Sequence, residues 1–258
     1  MKHLLVKITL LIILGIMAIS PEAVAQNAVT TLMNKANQAY DKQHYKKAIQ
    51  LYDSIIKEGW VSPKLYYNLG DAYFRTKNLP SAILYFEKAK KLDPNNSDIK
   101  YNLGIANSMI IDKIEKVPHF FLTRWWNYFY NLFNSNTWTI IFIISFAILV
   151  FFVGWFILAQ SRKSRMWSFF LGIIFFFISI VVFGLASQRN YYTRNQKEAI
   201  VFSPSISVKS SPSPNSVDLF VIHDGTKVKL LDNVDGWYKI KISNGSIGWI
   251  PDNSVRKI

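Results

Sequence analysis

The chain has no cysteine among its 258 residues. That excludes disulfides, thiolate metal sites, cysteine nucleophiles and an acylated lipoprotein anchor. Charge is also scarce, at 18% of residues, where a soluble globular chain carries about 25%. Histidine is limited to His3, His44, His119 and His223, too scattered along the chain to suggest a metal centre. There is no GxxxxGK phosphate loop and no pair of carboxylates beside an apolar pocket signal. Ser54-Ile55-Ile56-Lys57 fits the SxxK pattern of serine acyl enzymes. It stands without companion motifs in a helical stretch and reads as coincidence. No catalytic residue, cofactor or metal is therefore expected, and the chain reads as a non-enzyme.

What is present is apolar surface and positive charge. Half of the residues are hydrophobic, 16% are aromatic, and the net charge is +14. Residues 118–195 hold Arg124, Arg162, Lys163, Arg165, Arg189 and Arg194 and no acid at all. The basic excess thus coincides with the most hydrophobic part of the chain. That pattern suits anionic lipid headgroups and not nucleic acid, which calls for a basic stripe on a soluble domain.

The first segment has the form of an export signal over residues 1–25. Lys2 and Lys7 precede an apolar run from Ile8 to Ile19, and Ala23-Val24-Ala25 supplies a small-x-small cleavage site. Such a run is the length of a signal h-region and short for a span.

Residues 26–117 carry an internal repeat. Tyr67-Asn68-Leu69-Gly70 returns as Tyr101-Asn102-Leu103-Gly104, 34 residues on, and Ala48 and Tyr52 return as Ala82 and Phe86. A 34-residue period marks paired helices stacked in series. Gly70 and Ala82 are small enough for two helices to approach, and Pro94 ends the unit because it cannot continue a helix. Tyr66, Leu69, Gly70, Tyr73, Ala82, Phe86, Ala89 and Pro94 resemble the tetratricopeptide (TPR) signature over 63–96. Residues 29–62 match more loosely, with Ala36 at the glycine position, and 97–117 supply the first helix of a third repeat. The resemblance implies a protein-binding groove lined by first helices, with Asn37, Lys64, Asn68, Asp71 and Asn102 as its polar residues. Asn37 and Asn68 match the asparagines that grip a C-terminal carboxylate in clamp-type domains. Met33, Asp98 and Asn102 stand where the clamp has basic residues, so the asparagines either grip a ligand or simply hydrate the groove.

Two uncharged runs follow, Trp138 to Ala159 and Trp167 to Ser187. Each is about 31–33 Å long as a helix, against a hydrocarbon core of about 30 Å. We expect transmembrane helices over 138–159 and 167–187. The intervening loop, 160–166, holds Arg162, Lys163 and Arg165, which favours the cytoplasm. A two-span hairpin after an export signal returns both soluble parts to the periplasmic side of a bacterial inner membrane. Neither span contains an ionisable residue, which argues against a transporter. Residues 118–137 are rich in aromatics, and Leu122, Trp126, Phe129 and Phe133 fall on one helical face. Trp125, Trp126, Tyr128 and Trp138 are expected at the membrane interface, where rings with polar tips settle. The segment is either an interfacial helix or a docking surface for another membrane protein.

After a linker at 188–197, residues 198–258 switch to period-two alternation. Ile200-Val201, Ser207–Lys209, Leu219–Ile222, Val228–Leu231 and Trp237–Ile242 read as strands, separated by Asp224-Gly225, Asp235-Gly236 and Asn244-Gly245 turns. A small all-β barrel is expected. Ser207–Pro212, Gly225–Val228, Gly236–Ile240 and Gly245–Ile250 resemble the bacterial SH3 (SH3b) domain. That resemblance implies a peptide or peptidoglycan ligand, with Trp237, Tyr238 and Trp249 either lining a groove or filling the core.

The fold class expected is thus multidomain: an α-helical TPR solenoid, a two-helix transmembrane hairpin and an SH3b barrel. This order of parts resembles the BatE type of Bat aerotolerance proteins of Gram-negative bacteria. Membership would imply a stress-related membrane complex with von Willebrand A-type Bat proteins and, indirectly, a MoxR-type ATPase. The partners implied are therefore proteins and membrane lipid, with peptidoglycan as the alternative ligand of the tail and nucleic acid excluded.

Overall fold

The computed structural model describes residues 21–114, 120–195 and 197–258. The export segment expected over 1–25 lies outside the described residues up to position 20. From position 21 the chain is helical.

Five helices form the repeat module: α1 (Pro21–Asp41), α2 (Tyr45–Lys57), α3 (Pro63–Arg75), α4 (Leu79–Leu92) and α5 (Ser97–Met109). Their ends are set locally. The Ser62 hydroxyl accepts from the Leu65 amide with Pro63 at the first helical position, and Asn96 Oδ1 accepts from the Asp98 and Ile99 amides. Such caps satisfy amides that the helix leaves without partners. The 34-residue period is also visible in the backbone. Gln43 and Lys77 occupy equivalent turns, and both are left-handed, with φ of 60° and 62°.

The repeat core explains its signature. A Cβ on Gly70 would lie 2.8 Å from Phe86 Cδ1, so the glycine lets α3 close on α4. Phe86 is fully buried there, which stabilises by about 1.5–3 kcal/mol relative to exposure. Gly104 stands at the matching place in α5, yet a Cβ there would meet nothing within 4 Å. The reason is that, among the described residues, α5 is not followed by a second helix of its own.

Helix α6 (Phe121–Tyr130) is shorter than the aromatic segment expected at 118–137. It leads into α7 (Ser135–Leu158) and α8 (Arg162–Asn195), both long and apolar enough to cross a membrane. These two lie against each other, and Ser179 Oγ donates to Ser145 Oγ at 3.2 Å in their buried seam. Phe152 stacks on Phe175 and Phe142 tilts against Phe183 in the same seam. The chain between them is shorter than the expected loop, because Arg162, Lys163 and Arg165 already belong to the first turn of α8. Likewise α8 does not stop at Ser187. It runs on to Asn195, so most of the expected 188–197 linker is helical. The continuation is held by packing, since Leu185 and Val182 are buried with Tyr130 and Trp138.

The tail forms β1 (Glu198–Val201), β2 (Ser205–Lys209), β3 (Asp218–His223), β4 (Lys227–Val234), β5 (Trp237–Lys241), β6 (Ile247–Pro251) and β7 (Val255–Lys257). They make one antiparallel sheet in the order β3-β2-β6-β5-β4-β1-β7. The barrel expected from the sequence is not closed by hydrogen bonds. The edges β3 and β7 do not pair, and β2 meets β6 through the single pair Lys209 and Trp249. The sheet nevertheless curls around one core, because Val201, Val208, Ile222, Val228, Ile240, Ile250 and Val255 bury together.

The sheet packs directly on the repeats. Ile200 joins Ile83, Phe86 and Leu103 in a single buried cluster, with Phe202 and Ile258 alongside. It covers the face of α4 that a further repeat would otherwise cover, as stacked repeats require.

Candidate functional site

The polar residues of the repeats fall into separate groups. Asn37 and Asn68 meet: Asn68 Nδ2 donates to Asn37 Oδ1 at 3.0 Å, and the Tyr52 hydroxyl donates to the same oxygen at 2.7 Å. Tyr40 donates its hydroxyl to Asp71 at 2.5 Å, and Arg75 Nε donates to Tyr40. Asn37, Tyr40, Tyr52, Asn68 and Asp71 line a cavity of about 340 Å³ with Asp41. Burial, together with its bond to Asp71, pushes the Tyr40 hydroxyl up to about 12. Burial does the same for Tyr52. Both phenols therefore stay protonated and serve as donors at neutral pH. Asn102 lies apart, donating to the Tyr67 hydroxyl at 2.6 Å, and Lys64 is exposed. Of the predicted groove, the structure thus gathers Asn37, Asn68 and Asp71 and leaves Lys64 and Asn102 outside that cavity. A carboxylate is gripped by N–H donors, and the Asn68 amide already donates to Asn37, whose carbonyl also accepts from Tyr52. The Ser54 hydroxyl of the SxxK match donates to the carbonyl of Leu51 in its own helix.

The three aromatics predicted for the tail do not share a face. Trp237 pairs with Pro251 and Lys239 with Trp249, whereas Tyr238 pairs with Ile250 on the intervening position. Alternation along a strand sends neighbours to opposite faces. Tyr238 therefore leans on the core with Ile240, while both tryptophans sit half-buried on the outer face with Lys239, whose Nζ lies 5.8 Å from the Trp249 ring. The outer face is the candidate ligand surface, and Tyr238 is not part of it.

Trp125, Trp126 and Tyr128 are exposed on α6, as an interfacial role needs. Trp138 is not. It is 6% exposed, and its indole N–H donates to the carbonyl of Tyr130 at 3.0 Å. It pins α6 to the start of α7 and does not face a bilayer surface.

Sequence reasoning missed the polar junction between repeats and sheet. Asp112 accepts from the His223 amide at 2.7 Å and from the Thr226 hydroxyl at 2.6 Å, with His223 Nδ1 at 2.8 Å from its other oxygen. Burial alone would raise this carboxyl, but the bonds from Thr226 and His223 outweigh it and hold it below the usual carboxylate range. Lys227 reaches Glu87 at 3.0 Å and Glu198 at 2.7 Å. Burial disfavours its charge, and the two carboxylates reverse that and raise its pKa. Arg189 at the far end of α8 donates to Asn131 Oδ1 and to the carbonyl of Lys91. One signal was available: Glu87 sits in the repeat helix among buried apolar neighbours, an unusual place for an acid without a partner.

A family model of the tetratricopeptide repeat matches residues 63–96, and one of the bacterial SH3 domain matches residues 204–255. The chain contains one unit of each kind in those places. Among solved structures it is similar to the C-terminal SH3 domain of myosin IB from Entamoeba histolytica. With a bound EhFP10(GEF) peptide, that domain is 23% identical, covering 25% of this chain and 95% of the domain at a TM-score of 0.19. Without the peptide, the identity is 24%, covering 24% and 93% at a TM-score of 0.18. No curated protein matches the chain.

Proposed function

We propose that the protein is a non-enzymatic scaffold that holds protein partners at a bacterial inner membrane. Its repeats and its SH3b domain would both face the periplasm, with α7 and α8 crossing the bilayer. The observation that carries this reading is the direct packing of two recognition modules into one body beside two apolar helices. Such modules generally bind proteins, and fixing two of them together raises the local concentration of whatever either one holds. The order of modules supports a Bat-type aerotolerance complex, with von Willebrand A-type membrane proteins as direct partners and a MoxR-type ATPase further off. Cross-linking in cells followed by detergent extraction, affinity capture of the full chain and mass spectrometry tests it. Recovery of von Willebrand A-type membrane proteins is the expected result. Their absence in repeated captures would remove the Bat assignment.

A second reading is favoured by the outer face of the sheet, where Trp237 and Trp249 flank Lys239. Paired aromatic rings of this kind stack on sugars, so the tail would anchor the protein to peptidoglycan and the repeats would recruit wall enzymes. Co-sedimentation of the full chain with purified sacculi, abolished in Trp249→Ala, would put this reading first. A chain that stays in the supernatant leaves the scaffold standing.

A further inference from the structure

A cavity of about 1020 Å³ opens where the repeats, α6, the end of α8 and the sheet meet. Six cationic side chains line it against two carboxylates, Glu87 and Glu198, both of which are engaged by Lys227. Lys90, Lys100 and Arg124 line it too and form no ion pair among the described residues.

Arg189 supplies the second observation. It is 1% exposed, lines the cavity, and has no carboxylate at ion-pair distance among the described residues. Its Nε has no hydrogen-bond partner at all among the described residues. A buried guanidinium with an unused donor and no counter-charge is unfavourable unless something anionic completes it.

The position of the cavity identifies that anion. Helix α8 has 34 residues, about 51 Å, whereas a hydrocarbon core is about 30 Å. Counted from Trp167, about 20 residues cross the core, so the helix leaves it close to Ala186 and places Arg189 at headgroup level. Phe121, Trp125, Tyr128 and Phe129 of α6 wall the same cavity and are exposed. That combination offers cations to a phosphate and an apolar, aromatic wall to the start of an acyl chain. An acidic peptide would gain nothing from a wall continuous with the bilayer surface.

We propose that this cavity binds the headgroup of an anionic phospholipid drawn from the leaflet beneath α6, with Arg189 completing its donor set on the phosphate. The proposal rests on α7 and α8 crossing a bilayer and is independent of the scaffold reading.

The test uses the full chain in nanodiscs of equal phosphatidylcholine and phosphatidylglycerol, released for native mass spectrometry. The wild type should retain phosphatidylglycerol in preference. Arg124→Gln, and then the combination of K90Q, K100Q and R124Q, should lower that preference by up to about fivefold per charge. These three side chains are not in the buried core, and an unchanged circular dichroism melt would show that the fold is kept. Equal retention of the two lipids by the wild type would overturn the proposal, as would a preference unaltered in the triple variant. Binding of inorganic phosphate in lipid-free micelles with the same dependence on these residues would also overturn it, since a free anion would then suffice. Alkaline carbonate extraction separates the failures. Release from membranes sinks the spanning reading together with the lipid site, whereas resistance with equal lipid retention sinks the lipid site alone.

Discussion

Replacing Asp112 by alanine should detach the sheet from the repeats at its most polar point. Its carboxylate is 12% exposed and accepts three hydrogen bonds from the loop leading out of β3. Bonds to a charged acceptor contribute about 1.5–3 kcal/mol each, and they are not additive. Thr226, at 2% exposure, would be left without its acceptor. Water can reach the rim and recover part of the loss, so about 3 kcal/mol of docking energy is a fair expectation, on the order of a hundredfold in the docked population. The His223 amide reports this directly, because its bond runs to Asp112 across the junction. Hydrogen exchange of the full chain in nanodiscs should show that amide exchanging on the order of a hundredfold faster in Asp112→Ala. Amides of the β4–β5 ladder should hold their protection. Acid gives the same perturbation without mutation. The folded carboxyl lies below its unfolded value of about 3.9, so its contribution is present above that pH and is lost as pH falls through the folded value. An exchange rate at His223 unmoved by the substitution would refute the reasoning, since the docking would then rest on the apolar contacts alone.

Gly70→Ala should lower the thermal melt, because its Cβ would press on Phe86 at 2.8 Å and overpacking destabilises by about 1–3 kcal/mol. Gly104→Ala at the equivalent place should raise it, by about 0.5–1 kcal/mol, since the new methyl enters open space and the helix loses a glycine. Circular dichroism melts of both variants check the opposite signs. Gly225→Ala should speed exchange at His223, because its φ is +83° and a Cβ would sit 2.6 Å from Ile110 across the junction. Lys227→Met should weaken the docking by about 1.5–3 kcal/mol, because the charge-assisted bonds to Glu87 and Glu198 are lost at a partly exposed site and the two carboxylates then face each other, read as faster proteolysis of the connecting segments. The wild-type contribution of Lys227 should fade as pH rises above its unfolded value of about 10.4.

The sequence could be read wherever a pattern repeats at a fixed interval. The Tyr-Asn-Leu-Gly match at 34 residues located both helices of the second repeat, and period-two alternation located five of the seven strands. β6 carries glycine and proline among its apolar residues and shows no clear alternation, and β7 follows a 3₁₀ turn at Asp252–Ser254 that breaks the alternation. Ser187 marks only where the uncharged run stops; the helix itself continues, because Tyr130 and Trp138 pack with Val182, Leu185 and Tyr192 at its far end. The candidate groove was only partly legible. Helical spacing places Asn37, Asn68 and Asp71 on first helices, but nothing local says that Tyr52 fills the shared carbonyl. Trp237 and Tyr238 are adjacent, so alternation puts them on opposite faces; the resemblance that joins them with Trp249 carries no register, and the pairing of Lys239 with Trp249 sets both tryptophans on one face.

The incomplete third repeat and the sheet make sense only together. Among the described residues helix α5 follows α4 without a second helix of its own, so no further helical pair closes the stack there. A terminal repeat with an uncovered apolar face is unstable in water. Here Ile200, Phe202 and Ile258 cover Ile83 and Phe86, so the sheet acts as the cap of the solenoid as well as a module of its own. Removing residues 198–258 should therefore lower the melting of the helical signal and not merely subtract a binding surface. The buried Ile83 and Ile200 contact is worth about 1.5–3 kcal/mol per side chain uncovered, enough to shift the melt by several degrees. A truncated chain that loses its partners has lost a fold as much as a ligand site. Point changes on the outer face, Trp249→Ala first, separate the two because they leave the capping residues in place. If truncation left the helical melt unmoved, the repeats would be self-sufficient and the contact with the sheet would be incidental.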